Sequence, residues 1–132
     1  MKINSKTALT MYKQGKSLAN VDLCGEDLSN ICFKNVNLTS AKLENVNLSN
    51  SDLSNSNLAS SDLTCSKLID SNLNNANLKS ANLLNADLTN ADLTNTNLDS
   101  TYLRDAKITK TQLNQVRSQK KTTLPDGSLS SY

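Results

Sequence analysis

Apolar residues recur along this chain with a period of five. Leu stands at 18, 23, 28 and 38, at every fifth position from 43 to 103, and at 113; Phe33 and Ile108 fill the two gaps. From 18 to 113 that makes 20 apolar positions in unbroken register. Neither common element accommodates the period. Five residues of α-helix turn through about 500°, so leucines five apart would scatter around every face. On a flat strand, where side chains alternate, an odd period sends successive leucines to opposite sides. The chain must therefore turn every five residues so that each Leu points toward one shared axis. The flanking positions agree. Two residues before each Leu stands a small or β-branched residue: Val21, Ile31, Val36, Ala41, Val46, then Ser51 to Ser71 at each fifth step, Ala76 to Ala91, Thr96 and Thr101. Only Glu26 breaks that set between 21 and 111. Directly before the apolar residue, Asp or Asn fills 13 of the 20 positions. The last two positions are mostly Ser, Thr, Asn or charged, so the unit reads A/S/V–D/N–L–x–x.

Twenty such units in register, over about 100 of the 132 residues, resemble the pentapeptide repeat family. A leucine-rich repeat would need L-x-x-L-x-L within a longer unit, and that pattern is missing. The resemblance implies an all-β fold, a right-handed quadrilateral parallel β-helix. Four pentapeptides make one square coil, with Leu and the small residue pointing inward and the other three positions facing water. Twenty units then give about five coils, and at ~4.8 Å between paired strands the column is about 24 Å long. A coil of this size stacks residues 20 apart. Asn37, Asn57, Asn77 and Asn97 form one stack, and Ser40, Ser60, Ser80 and Ser100 a second on the same face. Asn35, Asn55, Asn75 and Asn95 form a third on another face. Stacked Asn side chains are expected to bond one another along the column. Asn and Asp also tolerate tight turns and bond their local backbone.

A β-helix leaves two open ends that need covering. Residues 1–15 read as an N-terminal helical cap, with Ser5 as N-cap, Gly15 just past the end, and Leu9 and Tyr12 placed to cover the first coil. The spacing Leu–x–x–Tyr–x–x–Gly is similar to the entry segment of many family members. The repeat column itself spans 16–113. A C-terminal cap and tail over 109–132 overlaps the last repeat. There Thr109-x-x-Gln112 fits a capping box, with Ile108 and Leu113 as a hydrophobic staple. This predicts a helix near 110–119. Thr122 to Gly127 reads as a turn, and the last five residues as frayed.

Composition narrows the function. Leu, Asn and Ser account for almost half the residues; there is no His or Trp, and only one Phe. Without His, most acid–base and metal chemistry loses its usual carrier. Cys24, Cys32 and Cys65 form no CxxC pair and are odd in number, which fits free thiols in a reducing compartment rather than zinc or disulfides. Asp22 with Asp62, and Asp87 with Asp92, occupy repeat positions before they are carboxylate pairs. No phosphate-binding or metal-ligand spacing is present. The expectation is a non-enzymatic chain with no catalytic, cofactor or metal site. No stretch reaches signal-peptide or membrane-span length, so a cytoplasmic location is expected, without membrane partners.

Net charge is +2, with basic ends around a mildly acidic middle: residues 16–115 carry 8 basic and 11 acidic groups. That balance points away from nucleic acid as a partner. The resemblance also implies an alternative, since the family's quinolone-resistance proteins mimic DNA and bind gyrase and other type II topoisomerases. DNA carries one charge per ~1.7 Å, so a mimic of this length would want about 14 negative charges. The column nets −3, and no face is an acidic stripe. The remaining reading is a structural or protein-interaction module whose protein partner the sequence does not name. Ile69, Leu84, Tyr102 and Arg104 place bulky groups at outward positions and are the candidate protein-contact residues. The C-terminal end is also a place where two columns could pair as a homodimer.

Overall fold

The computed structural model describes residues 1–131. Every fifth residue the chain enters a β-turn. The third residue of each turn lies in the left-handed region, as at Asn20 (φ 63°), Asn35 (61°), Asn55 (58°) and Asn95 (59°). A type II turn requires positive φ there. Asn fills 10 of the 18 non-glycine positions with positive φ, because its short amide tolerates that conformation. Gly25 takes the same place in its unit, at φ 75°. The Asp or Asn before each Leu holds the other side of the turn. Its Oδ1 accepts the N–H of the residue two further on, as in Asn37 from Thr39, Asp62 from Thr64 and Asn97 from Asp99, at 2.9–3.0 Å. The Asn37, Asn57, Asn77 and Asn97 side chains are thus spent on their own turns, where bonding along the stack was expected.

Stacking follows from that geometry. Asp22, Lys42, Asp62, Asn82 and Tyr102 pair in sequence through parallel bridges 20 residues apart, as do Asn37, Asn57, Asn77 and Asn97. Each unit from Ala41 to Asn85 donates three bonds between coils. The Leu43 N–H donates to Asp62 O (2.7 Å), the Asn45 N–H to Thr64 O (2.9 Å), and the Asp62 N–H back to Ala41 O (3.0 Å). Four turns fit in each 20-residue coil, leaving three residues between turns. Only one bridge fits on each side, so among the described residues no bridge extends into a longer strand. Inside, 17 of the register leucines and Phe33 are at most 1% exposed. Ile108 and Leu113, last in the register, are half-buried.

The ends depart from the expectations in informative ways. Helix α1 spans Ser5–Lys13, and its N-cap is Asn4, one residue before the expected Ser5; the Asn4 side chain accepts from Thr7 N–H. Gly15 does end it, at φ 72°, with Gly15 N–H to Tyr12 O and Lys16 N–H to Met11 O, the paired bonds of a Schellman motif. Ala8 is the fully buried residue of α1, and Leu9, Met11 and Tyr12 are partly buried against the core. Glu26, the residue that broke the small-residue set, accepts the Ser5 N–H at 2.7 Å and puts a carboxylate at the helix N-terminus. Phe33 is fully buried in the first coil, beside α1. Its ring meets that of Tyr12 at 5.0 Å.

At the other end, helix α2 is one turn, Lys110–Leu113, where the spacing predicted a helix to 119. The capping box of Thr109 and Gln112 is present. Its Gln also explains why the helix stops there. Gln112 Nε2 donates to Leu88 O (2.7 Å) and Ala91 O (3.0 Å). In a regular coil the Ala91 carbonyl would receive the backbone N–H of residue 112, and the side chain supplies that donor instead. The chain then rejoins the column one residue out of register, pairing Asn97 with Ser118 and Tyr102 with Thr123. The tail, expected to be frayed, folds back. Leu129 pairs antiparallel with Thr123, and Ser130 N–H donates to Thr122 O (2.8 Å). Tyr132 lies outside the described residues.

Candidate functional site

Two of the four bridged stacks carry charges of both signs, a third carries Asp52 and Asp92, and the fourth is all Asn from 37 to 97. One stack reads Lys2, Asp22, Lys42, Asp62 and Asn82; the next reads Asp27, Asn47, Lys67, Asp87 and Lys107. Lys2 lies 3.7 Å from Asp22, Lys34 3.6 Å from Asp52, and Lys107 3.8 Å from Asp87. Hydrogen bonds hold several of these carboxyls below the usual Asp range. The Cys24 N–H does so at Asp22, the Ser29 hydroxyl and N–H at Asp27, and the Thr94 hydroxyl and N–H at Asp92. Glu44 goes the other way: a bond to Asp62, and the repulsion between the two carboxylates, raise it. Among the described residues no cluster of three or more Cys, Asp or Glu could hold a metal ion. Cys24 is partly buried, which pushes its thiol up, and Cys32 and Cys65 are exposed.

Of the four residues singled out in the sequence, three share a corner. Leu84 and Arg104 follow each other in one stack, with Asn85 N–H to Arg104 O at 3.1 Å, and Tyr102 precedes Arg104 on the same side. Ile69 lies on the next corner, one coil below the level of Thr89. Ile69 and Leu84 are half-buried, while Tyr102 (38%) and Arg104 are exposed. Tyr102 bridges Thr123 of the last rung, and the Arg104 guanidinium lies against Gly127 of the terminal hairpin. Tyr102 and Arg104 therefore border the C-terminal end.

That end holds a cleft of about 460 Å³ between α2 and the hairpin, with Ile108, Leu113, Leu124, Pro125 and Leu129 among its lining residues. Sequence reasoning missed it. Gln119, buried in the place of a register Leu, was hidden by the one-residue shift after α2. The only sequence signal was the turn at Leu124-Pro-Asp-Gly127.

Residues 41–118 match the profile of the pentapeptide repeat region. This chain belongs to the pentapeptide repeat family. Members are generally non-enzymatic structural or binding proteins. HetL, a pentapeptide repeat protein involved in heterocyst differentiation regulation from the cyanobacterium Nostoc sp. strain PCC 7120, is 30% identical with TM-score 0.76. The match covers 79% of this chain and 44% of HetL, so this pentapeptide repeat protein spans less than half of HetL's length. The pentapeptide repeat protein alr5209 from Nostoc PCC 7120 is 26% identical with TM-score 0.76, over 88% of this chain and 95% of that one. Full-length QnrB1, a plasmid-mediated fluoroquinolone resistance protein, is 16% identical with TM-score 0.57, over 79% of this chain and 56% of its own; at that identity the likeness is one of fold. A sequence search of curated proteins finds no match. Among the described residues no helix is long and apolar enough to cross a membrane.

Proposed function

We propose that this pentapeptide repeat protein is a non-enzymatic regulatory module of the cytoplasm that works by binding another protein. In this reading residues 16–113 form a right-handed, four-sided column capped by 1–15 and 109–132. The contact surface includes Leu84, Tyr102 and Arg104 on one corner, with Ile69 beside them. The observation that carries it is the outer surface: polar side chains engaged in their own turns, interrupted by bulky residues that gather toward one end. HetL's part in regulation, at 30% identity, supports it.

The DNA-mimic reading finds no comparable support. Lys and Asp alternate along two stacks, so their fields cancel within a Debye length of about 8–10 Å. A gyrase mimic needs the opposite, an unbroken negative stripe. The expected result of a supercoiling assay is full gyrase activity at micromolar protein.

Affinity capture from the native cytoplasm, with untagged protein as competitor, tests the main reading. A protein captured saturably and displaced by the competitor is expected. Gyrase inhibition, or the lack of any competed protein, would contradict it.

A further inference from the structure

We propose that the cleft at the C-terminal end docks an acidic peptide segment of a partner protein, one that carries one or two apolar anchor residues. This rests on the reading that the protein works by protein contact, and names the site and the chemistry of the partner. Two walls make the cleft. One is α2, with Ile108 before it and Leu113 at its end. The other is the terminal hairpin, with Leu124, Pro125 and Leu129. Gln119 ties them together. It is 6% exposed and stands where Leu98 stands one coil below. Its Nε2 donates to Leu113 O (3.0 Å) and its Oε1 accepts from Ser130 Oγ (3.1 Å). A leucine there would fill the column but hold neither wall. The polar residue in leucine's place keeps the cleft open in one shape, which lowers the ordering a ligand must supply.

The lining sets Ile108, Leu113, Leu124, Pro125 and Leu129 among polar residues, one cation at Lys110 and one carboxylate at Asp126, and Leu129 is 64% exposed. A volume of about 460 Å³ falls in the range that takes a few side chains of a ligand. Across Leu113, Asn114 and Gln119 the cleft continues into a second groove that contains Val116, Arg117 and Lys120. Apolar and basic stretches therefore lie end to end. Residues 104–132 hold six basic and two acidic residues. Arg104 pairs with Asp105 and Lys107 with Asp87. Among the described residues, Lys110 in the cleft and Arg117 in the second groove have no carboxylate within ion-pair distance.

Unpaired cations beside an apolar cleft select a ligand with carboxylates next to apolar side chains. A second copy, docked through the same end, would bring two basic clusters together, and like charges oppose that. A polyphosphate chain would satisfy the cations but leave the apolar walls wet.

Fluorescence anisotropy with the full chain tests this, using short labelled peptides as probes. One carries Leu anchors flanked by Glu, one the same anchors flanked by Lys, and one Ser in place of the anchors. The Glu/Leu peptide binds, and the other two bind at least about tenfold more weakly, a difference of about 1.4 kcal/mol. Leu129→Ser, and separately Arg117→Glu with Lys120→Glu, weaken the Glu/Leu peptide by a similar factor. Lys6→Glu, an exposed position of α1 at the opposite end, leaves it unchanged. Added salt weakens it too. Thermal melts confirm that each variant is folded; Leu129 is exposed, so its replacement leaves the column intact. Equal binding of the Glu and Lys peptides, no binding of either, or indifference to Leu129→Ser overturns the proposal. So does a wild-type dimer in light scattering that Leu129→Ser dissociates, since the occupant would then be a second copy. A captured partner that binds wild type and Leu129→Ser alike removes the cleft and leaves the protein-contact reading standing; the lack of any captured partner removes both.

Discussion

Ser51, Ser61 and Ser71 each donate their hydroxyl to the carbonyl of the Leu that opens the same turn, at 2.6–2.8 Å. Ser56 and Ser66, at the same inward place on other sides, have buried Oγ atoms without a partner among the described residues. An unsatisfied buried hydroxyl costs about 1–3 kcal/mol, and a made one contributes about 0.5–1.5. Ser66→Ala should therefore stabilise by about 1 kcal/mol and Ser61→Ala destabilise by a similar amount. Urea unfolding of the pair checks this, and the same sign for both would contradict it. The turn carboxylates make a second prediction. Asp22, Asp27 and Asp92 sit below the ordinary value of 3.8 in the folded chain. Their contribution is complete above that value and is lost as pH falls through the lower folded values. The urea midpoint should be flat from about pH 7 to 5 and fall below about pH 4. Asp92→Asn should blunt the fall while leaving neutral stability unchanged, because Asn already closes the same turn at 37, 57, 77 and 97.

At the scale of elements, the two caps are held by residues that depart from the repeat. Glu26 takes an inward position and reaches the first N–H of α1. Glu26→Ala should cost about 1 kcal/mol, less in high salt, as for a charge at a helix N-terminus. A cost unchanged by salt would show packing rather than charge at work. Much of this was legible beforehand. Leu every five residues fixed the core, Gly15 the end of α1, and Thr109 with Gln112 the capping box. What was not legible depends on partners far away in sequence. Glu26 looks like a fault until Ser5 lies across the coil from it. Gln112 looks like a capping residue alone until Leu88 and Ala91 present their carbonyls. A one-residue shift then conceals a sixth rung at Ser118 and Thr123, and with it the hairpin that walls the C-terminal cleft. Tyr102 and Arg104 were visible as bulky outward residues, but their place beside that hairpin was not.

At the scale of the molecule, each coil contacts only its neighbours, so stability adds along the axis and both ends must be closed. The middle carries charges of both signs and short polar side chains, whereas the C-terminal end gathers cations and an apolar cleft. The structure thus separates a scaffold from one end that differs from it. The central claim, that a period of five closes into coils of 20, makes a definite statement about every backbone N–H. In each unit from Ala41 to Asn85 the Leu, the left-handed residue and the residue before Leu donate to neighbouring coils, and the small residue donates within the turn. The residue after Leu donates to a side-chain oxygen in the outer layer, as at positions 24, 29, 39, 49, 64 and 94. Residue-resolved hydrogen exchange measures this directly. The account predicts faster exchange at every fifth amide, those after Leu, between protected neighbours from the first coil to the last. Unbroken protection over runs of helical length, or exchange without a period of five, would contradict it.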